Sequence, residues 1–302
     1  GRSYGDSANA HKVLATSYCN HFIDFDERTG KLTAESGITL REILTLIVPK
    51  GWFLPVTPGT SYVTLGGAIA SDVHGKNHHI AGTFGQHVTS LNLVLGTGEL
   101  LTSSKHENAD LFYATCGGMG LTGIIISATI QLIPIRSSFI NQKTIKADCI
   151  EAACEAFIEN NNTTYSVAWI DCLAKGRNLG RSVLMLGEHA KEGGLEIELK
   201  EPIAIPFNVP SALLNSMTMK TFNTIYWHKA TDKPHNAVPL MPYFYPLDAI
   251  GNWNRIYGKA GFLQFQCVLP KSDGVANMRK LLTEVANSGE GSFLAVLKQF
   301  GK

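Results

Sequence analysis

Cysteine is scarce and scattered in this sequence. Cys19, Cys116, Cys149, Cys154, Cys172 and Cys267 never form a Cys-x-x-Cys pair. That spacing excludes a dense disulfide scaffold and paired-thiol zinc or redox motifs, and it predicts reduced, mostly buried thiols. A long apolar run is also missing, since no stretch reaches the ~18 apolar residues that a transmembrane helix needs. Charge of one sign is missing too: 26 basic against 25 acidic residues leave a net charge of +1. No strong field therefore steers the chain onto nucleic acid, and the expected partner is a small molecule.

What is present is an ordinary globular composition with many turns. Hydrophobic residues at 44%, charged residues at 17% and 29 glycines exclude disorder and collagen. A length of 302 residues suits two domains better than one. The opening Gly1-Arg2-Ser3 has neither a starting Met nor an apolar leader, and the chain closes straight after an expected strand, which predicts a fragment missing both ends.

Patterning predicts an α+β fold. Leu32 to Ser36 reads as a strand, Thr39 and Glu42 as a capping box, and Leu40, Ile43, Leu44 and Ile47 as one helical face. Gly66-Gly67 is expected to start a short helix over Ala68 to Ser71. Leu91 to Leu95 and Leu100 to Thr102 form an expected hairpin, followed by a helix over Asn108 to Ala114 and a long strand from Gly123 to Pro134. A boundary near Arg136 separates these from expected strands at Phe139 to Ile145, Tyr165 to Asp171, Ser182 to Leu186, Phe262 to Leu269 and Ser292 to Lys298. Helices are expected at Ile150 to Ile158 and around Val275 to Val285, while Glu201 to Pro246 reads as an irregular covering segment. The second domain is thus expected to be an antiparallel sheet backed by helices.

Four runs could carry chemistry. Gly1 to Ser7 can turn tightly and expose N–H donors to a phosphate, with Arg2 and Ser3 adding side-chain donors; a plain surface turn is the alternative. Pro58-Gly59-Thr60 and Thr64 to Ala70 place two glycines at a helix start, where free N–H groups attract anions, unless the pair serves only helix packing. Ser71 to His79 gathers His74, Lys76, His78 and His79. Zinc ligation by His74 and His78 fails on context, because Gly75 weakens a helix there and no acid or thiol completes the set. Gly118 to Gly123 matches G-x-G-x-x-G, but a helix precedes it and a strand follows, the reverse of a Rossmann turn.

The order of these pieces from Gly1 to Pro134 resembles the FAD domain of the vanillyl-alcohol oxidase and p-cresol methylhydroxylase type (PCMH-type). A closer resemblance, to the decaprenylphosphoryl-ribose 2-oxidase family, is carried by GRSYGD, PGT, VTLGGAIASDVHGKNHH, GLTGII, FYPLDAIGNWNRIYG and GFLQFQ, spread over nearly the whole chain. The resemblance implies a PCMH-type FAD-binding domain over 1–136 and a substrate domain over 137–302, the first lacking its N-terminal part and the second its C-terminal part.

By that similarity Gly1, Arg2, Ser3, Tyr4, Gly5, Asp6 and Ser7 line the FAD pyrophosphate. Gly59, Thr64, Leu65, Gly66 and Gly67 hold phosphate and ribityl, Ser71, Asp72, Val73 and His74 sit by the isoalloxazine, and Ile125 meets the adenine side. Ser3-Tyr4 stands where some relatives carry a flavin-linked histidine, which implies non-covalent FAD. The implied reaction is hydride transfer to the flavin from a secondary hydroxyl of a polyprenyl-phosphoryl pentose, an oxidation on the way to a cell-wall arabinan precursor, with His74 and Lys76 as candidate catalytic groups. Trp169, Tyr245, Arg255, Gln264, Gln266 and Lys298 are the substrate-side candidates, and further lysine and cysteine positions of the family fall beyond Lys302. A separate short-chain ketoreductase is the implied partner. The expected location is cytoplasmic, with a peripheral contact at the inner membrane left open. An aldonolactone or alditol oxidase, a non-catalytic FAD-binding module and a metal-dependent hydrolase are the rival readings.

Overall fold

Period-two alternation and one tight turn build the first strands. In a computed structural model that describes residues 10–210, 213–259 and 261–301, β1 (Phe22–Asp26) and β2 (Lys31–Glu35) pair as a hairpin. Asp26 closes the turn by accepting from the Arg28 N–H and the Thr29 hydroxyl, and Gly30 takes the left-handed φ of +72°. The capping box forms as expected: Thr39 Oγ1 accepts from Glu42 N at 3.2 Å, and Glu42 Oε2 accepts from Thr39 N at 2.8 Å. It opens α1 (Leu40–Ile47), which buries Leu40, Ile43, Leu44 and Ile47.

The chain continues through β3 (Trp52–Phe53), α2 (Leu65–Ala70), α3 (His78–Ala81), β4 (Val88–Val94), β5 (Leu100–Ser104), α4 (Ala109–Thr115), β6 (Ile124–Gln131) and β7 (Ile133–Pro134). Five of these strands form an antiparallel sheet in the order β1-β2-β6-β4-β5. Thr64 caps α2, so Gly66 and Gly67 lie inside the helix rather than before it. Gly66 is needed there for packing: a Cβ would stand 2.8 Å from Ser36 Cβ.

The second half comprises β8 (Phe139–Ala147), α5 (Ile150–Glu159), β9 (Tyr165–Ile170), β10 (Ser182–His189), β11 (Ile203–Ala204), α6 (Ser216–Lys229), β12 (Lys233–Pro239), α7 (Leu240–Phe244), β13 (Ile250–Gly251), α8 (Gly274–Ser288) and β14 (Val296–Leu297). Its main sheet runs β12-β8-β10-β9-β14, antiparallel throughout. Helices α5 and α8 share a core with Ile170 on one side of β9, while Trp227 of α6 packs with Trp169 and Val183 on the other. The fold class is α+β.

Several expectations need correction. Phe262 to Leu269 alternates like a strand but forms no ladder, and Leu263, Phe265 and Val268 stand exposed. Glu201 to Pro246 contains a 14-residue helix, α6, and a strand, β12. The helix had no apolar periodicity to detect because only Asn223 and Trp227 are buried on it. The last expected strand shrinks to Val296–Leu297. All six thiols are free, as expected, but only Cys172 is fully buried, and Cys267 is exposed.

The two sheets share one core. Phe244 meets Phe53 and Tyr165 at 4.9 Å between ring centroids, and Tyr245 is buried beside them. His189 ends β10 at this seam, with Nε2 3.0 Å from Tyr165 Oη and its ring edge-on to Phe53. Burial pulls its pKa from 6.5 to about 4. The unfolded chain therefore takes up a proton that the folded chain refuses, and stability held above pH 6.5 is lost as the pH falls toward 4. Urea midpoints are expected to drop across that window, with about 1–3 kcal/mol of the drop assigned to this group. A His189→Asn variant measured at the same pH values is expected to show a slope smaller by that amount; an unchanged slope would show that His189 does not titrate there.

Candidate functional site

Residues 71–76 lead from the end of α2 into the seam between the sheets. Asp72 turns the chain at a φ of +40°, a left-handed value that a non-glycine residue adopts only when held. Its Oδ1 provides the hold by accepting from Gly85 N at 2.7 Å. The loop at 117–119 packs against the same corner: Gly117 N donates to Ile69 O, and Met119 N to Ala70 O. A Cβ on Gly75 would stand 2.8 Å from Thr57 O, so the backbone at residue 75 passes close against residue 57.

The corner offers bare backbone. Gly59 is exposed and a Cβ there would meet nothing within 4 Å; Gly67 is exposed as well. The helix start itself offers less than the glycine spacing suggested. Leu65 N donates to Ile38 O, Gly66 N to Ser36 O and Gly67 N to Thr64 Oγ1, so none of these three donors is free for an anion. Ile125 is buried in β6, just past the end of the β2 ladder at Ser127. Gly1, Arg2, Ser3, Tyr4, Gly5, Asp6 and Ser7 lie outside the described residues.

Beyond the glycine strip the residues become cationic and aromatic. Lys76 Nζ donates to Phe244 O at 3.2 Å and lies 5.4 Å from the Tyr243 ring centroid. Its backbone oxygen accepts from Ser166 N of β9. Burial, reinforced by the Lys298 charge, pulls the Lys76 amine down to about 7, and burial also lowers Lys298. Among the described residues no carboxylate pairs with either lysine within ion-pair distance. His74, lowered to about 4 by burial and then by Lys298 and His78, is neutral at physiological pH, and its buried Nδ1 has no hydrogen-bond partner. Phe300 closes the group, stacked on His78 at 4.2 Å and edge-on to His74 at 4.8 Å.

His74, Lys76 and Lys298 therefore come together from opposite halves of the chain. The other substrate-side candidates do not join them. The Tyr245 hydroxyl is buried against Thr57 Oγ1 at 2.5 Å, and the Trp169 indole donates to Phe293 O. Arg255 donates to Ile205 O and Pro206 O, holding the segment that precedes α6. Gln264 and Gln266 are exposed on the unpaired stretch, not on a sheet wall. Sequence reading missed Phe300, His189, Ser61 and Asp248; only Asp248 had a signal, an acid inside the FYPLDAIGNWNRIYG run.

The residues present fit FAD. A side-chain-free corner allows close approach of a large planar cofactor, and the orphaned His74 nitrogen marks a polar position awaiting a partner. Among the described residues no group of three or more His, Cys, Asp or Glu is placed to hold a metal ion.

Comparison with known proteins agrees with this chemistry. Residues 1–104 match the FAD binding domain family. The decaprenylphosphoryl-beta-D-ribose oxidase of Mycolicibacterium smegmatis is 37% identical over 316 residues, covering 100% of this chain and 68% of the relative. An uncharacterized protein of Streptomyces coelicolor is 30% identical over 283 residues, covering 87% of this chain and 75% of its own. Human Delta(24)-sterol reductase is 29% identical over 153 residues, about half of this chain. The glycine corner, the two half-buried lysines and this similarity along the whole of the chain lead to one conclusion: the chain belongs to the decaprenylphosphoryl-beta-D-ribose oxidase family of FAD-dependent oxidoreductases.

Proposed function

We propose that this chain oxidises a secondary hydroxyl of a polyprenyl-phosphoryl pentose, with non-covalent FAD carried by residues 1–136 and the sugar covered by residues 137–302. The observation that carries the reading is the meeting of the half-buried Lys76 and Lys298, neither with a carboxylate partner among the described residues, beside neutral His74. When bound, FAD would supply the acceptor for the hydride; Gly59, Ser71 to His74 and Ile125 would hold it together with Gly1 to Ser7, and Thr64 to Gly67, whose amides are already engaged, would line it without donating to it. Lys76, with its amine near 7, takes the hydroxyl proton at Nζ in its neutral form. His74 Nδ1 orients the hydroxyl, and the Lys298 charge favours the oxyanion that develops there. The aromatic wall of Tyr243, Phe244 and Phe300 keeps water away from this proton.

The lipid part of the substrate is supported by the segment before and along α6. Phe207, Leu213, Met217 and Phe222 are exposed there, an apolar face suited to a prenyl chain, with Val209, Leu214 and Met219 partly buried beside them. No helix among the described residues is long and apolar enough to cross a membrane. The product ketone would pass to a separate ketoreductase, and peripheral contact with a membrane would bring the chain to its lipid-linked substrate.

Three outcomes test this reading. In the pH profile of kcat/KM, activity is expected to rise as pH increases through about 7, where Lys76 loses its proton. Lys76→Met is expected to remove that rise and to lower kcat by roughly 10²–10⁴-fold; a profile unchanged by the substitution would exclude Lys76 as the base. Gly59→Ala meets no neighbour, so the apo-protein should melt as wild type does while FAD affinity falls; equal affinity would move the cofactor away from this turn. Guanidinium denaturation followed by filtration is expected to leave the yellow colour in the filtrate, and colour retained with the chain would mean a covalent link.

A further inference from the structure

The turn Pro58-Gly59-Thr60 is gripped at both ends by one short segment of the second half. At its start, Thr57 Oγ1 and Tyr245 Oη are 2.5 Å apart and both residues are buried. At its end, Asp248 Oδ2 accepts twice from Ser61, from N at 2.7 Å and from Oγ at 2.6 Å, and Ser61 is fully buried. Tyr245 and Asp248 stand three residues apart around the helical turn Pro246–Ala249. A carboxylate accepting both a backbone N–H and a hydroxyl makes a charge-assisted contact that fixes backbone direction. Between the two grips, Gly59 contributes no side chain and touches nothing in its Cβ direction.

We propose that Tyr245 and Asp248 are positioning residues for the cofactor. They hold residues 58–60 in the shape that receives FAD, although neither belongs to the half that carries it. The inference rests on the reading of Gly59 as flavin-facing. It makes FAD binding and the docking of the second half mutually dependent, because a ligand that favours the gripped turn also favours the grip. Tyr245 thus takes a role behind the cofactor rather than on the substrate.

The test compares FAD dissociation constants and flavin midpoint potentials for the 302-residue chain and three variants, Asp248→Asn, Ser61→Ala and Tyr245→Phe. Each variant is expected to weaken FAD binding about tenfold, the loss of a single hydrogen bond to a charged or buried partner, and to shift the potential, which a merely structural role would not move. Asp248→Asn combined with Ser61→Ala should weaken binding by less than the product of the single effects, since both remove the same contact. Glu151→Gln, which breaks an exposed ion pair with Arg279 between α5 and α8, should leave both values unchanged. Wild-type affinity and potential in Asp248→Asn and Ser61→Ala would overturn the proposal while leaving the flavin reading intact. A wild-type chain that binds no FAD would instead overturn the flavin reading. The grip is then read by amide hydrogen exchange at residues 58–61: faster exchange in the variants supports it, and unchanged exchange overturns it.

Discussion

Phe244 is the contact on which both halves of this molecule depend. Its ring meets Phe53 of the first half and Tyr165 of the second, and its carbonyl oxygen accepts a hydrogen bond from Lys76 Nζ. Aromatic contacts of this kind add about 0.5–1.5 kcal/mol each beyond the area they bury. Packing therefore welds two sheets that chain connectivity alone would leave independent. The residue that seals the core also fixes Lys76, the group proposed as the base.

The electrostatics of the site follow from that seal. Among the described residues neither Lys76 nor Lys298 has a carboxylate to pair with; burial lowers both amines, and the Lys298 charge lowers Lys76 further. Burial lowers His74 to about 4, so that its imidazole is neutral under ordinary conditions, and burial also lowers His78. Unpaired cationic and neutral groups beside a glycine-lined corner are what an electron-rich ligand with a transferable proton requires.

Much of the first half was legible in the sequence because its signals are local. The capping box of Thr39 and Glu42, the 3-4-7 spacing of α1 and the β4–β5 hairpin each depend on residues close in the chain. The second half was harder to read for a physical reason. Helix α6 buries only Asn223 and Trp227, and Asn223 is there to donate to Asp171 within a buried network with Arg181, a polar purpose that apolar periodicity cannot reveal. Phe262 to Leu269 shows the opposite failure, since alternation predicts a strand while pairing depends on a neighbour elsewhere in the chain. In the candidate site, His74 and Lys76 were readable from their run, whereas their meeting with Lys298 and Phe300 is set by a β9–β14 pairing far apart in sequence.

The central claim is that the seam around Lys76 and His74 oxidises a lipid-linked pentose. Its most direct measurement is anaerobic titration of the FAD-loaded chain with a polyprenyl-phosphoryl ribose, and in parallel with an aldonolactone, followed by flavin absorbance. Bleaching by the lipid-linked ribose, and not by the lactone, is the predicted result. A flavin that stays oxidised with the lipid-linked sugar, or that bleaches only with the lactone, would contradict the account.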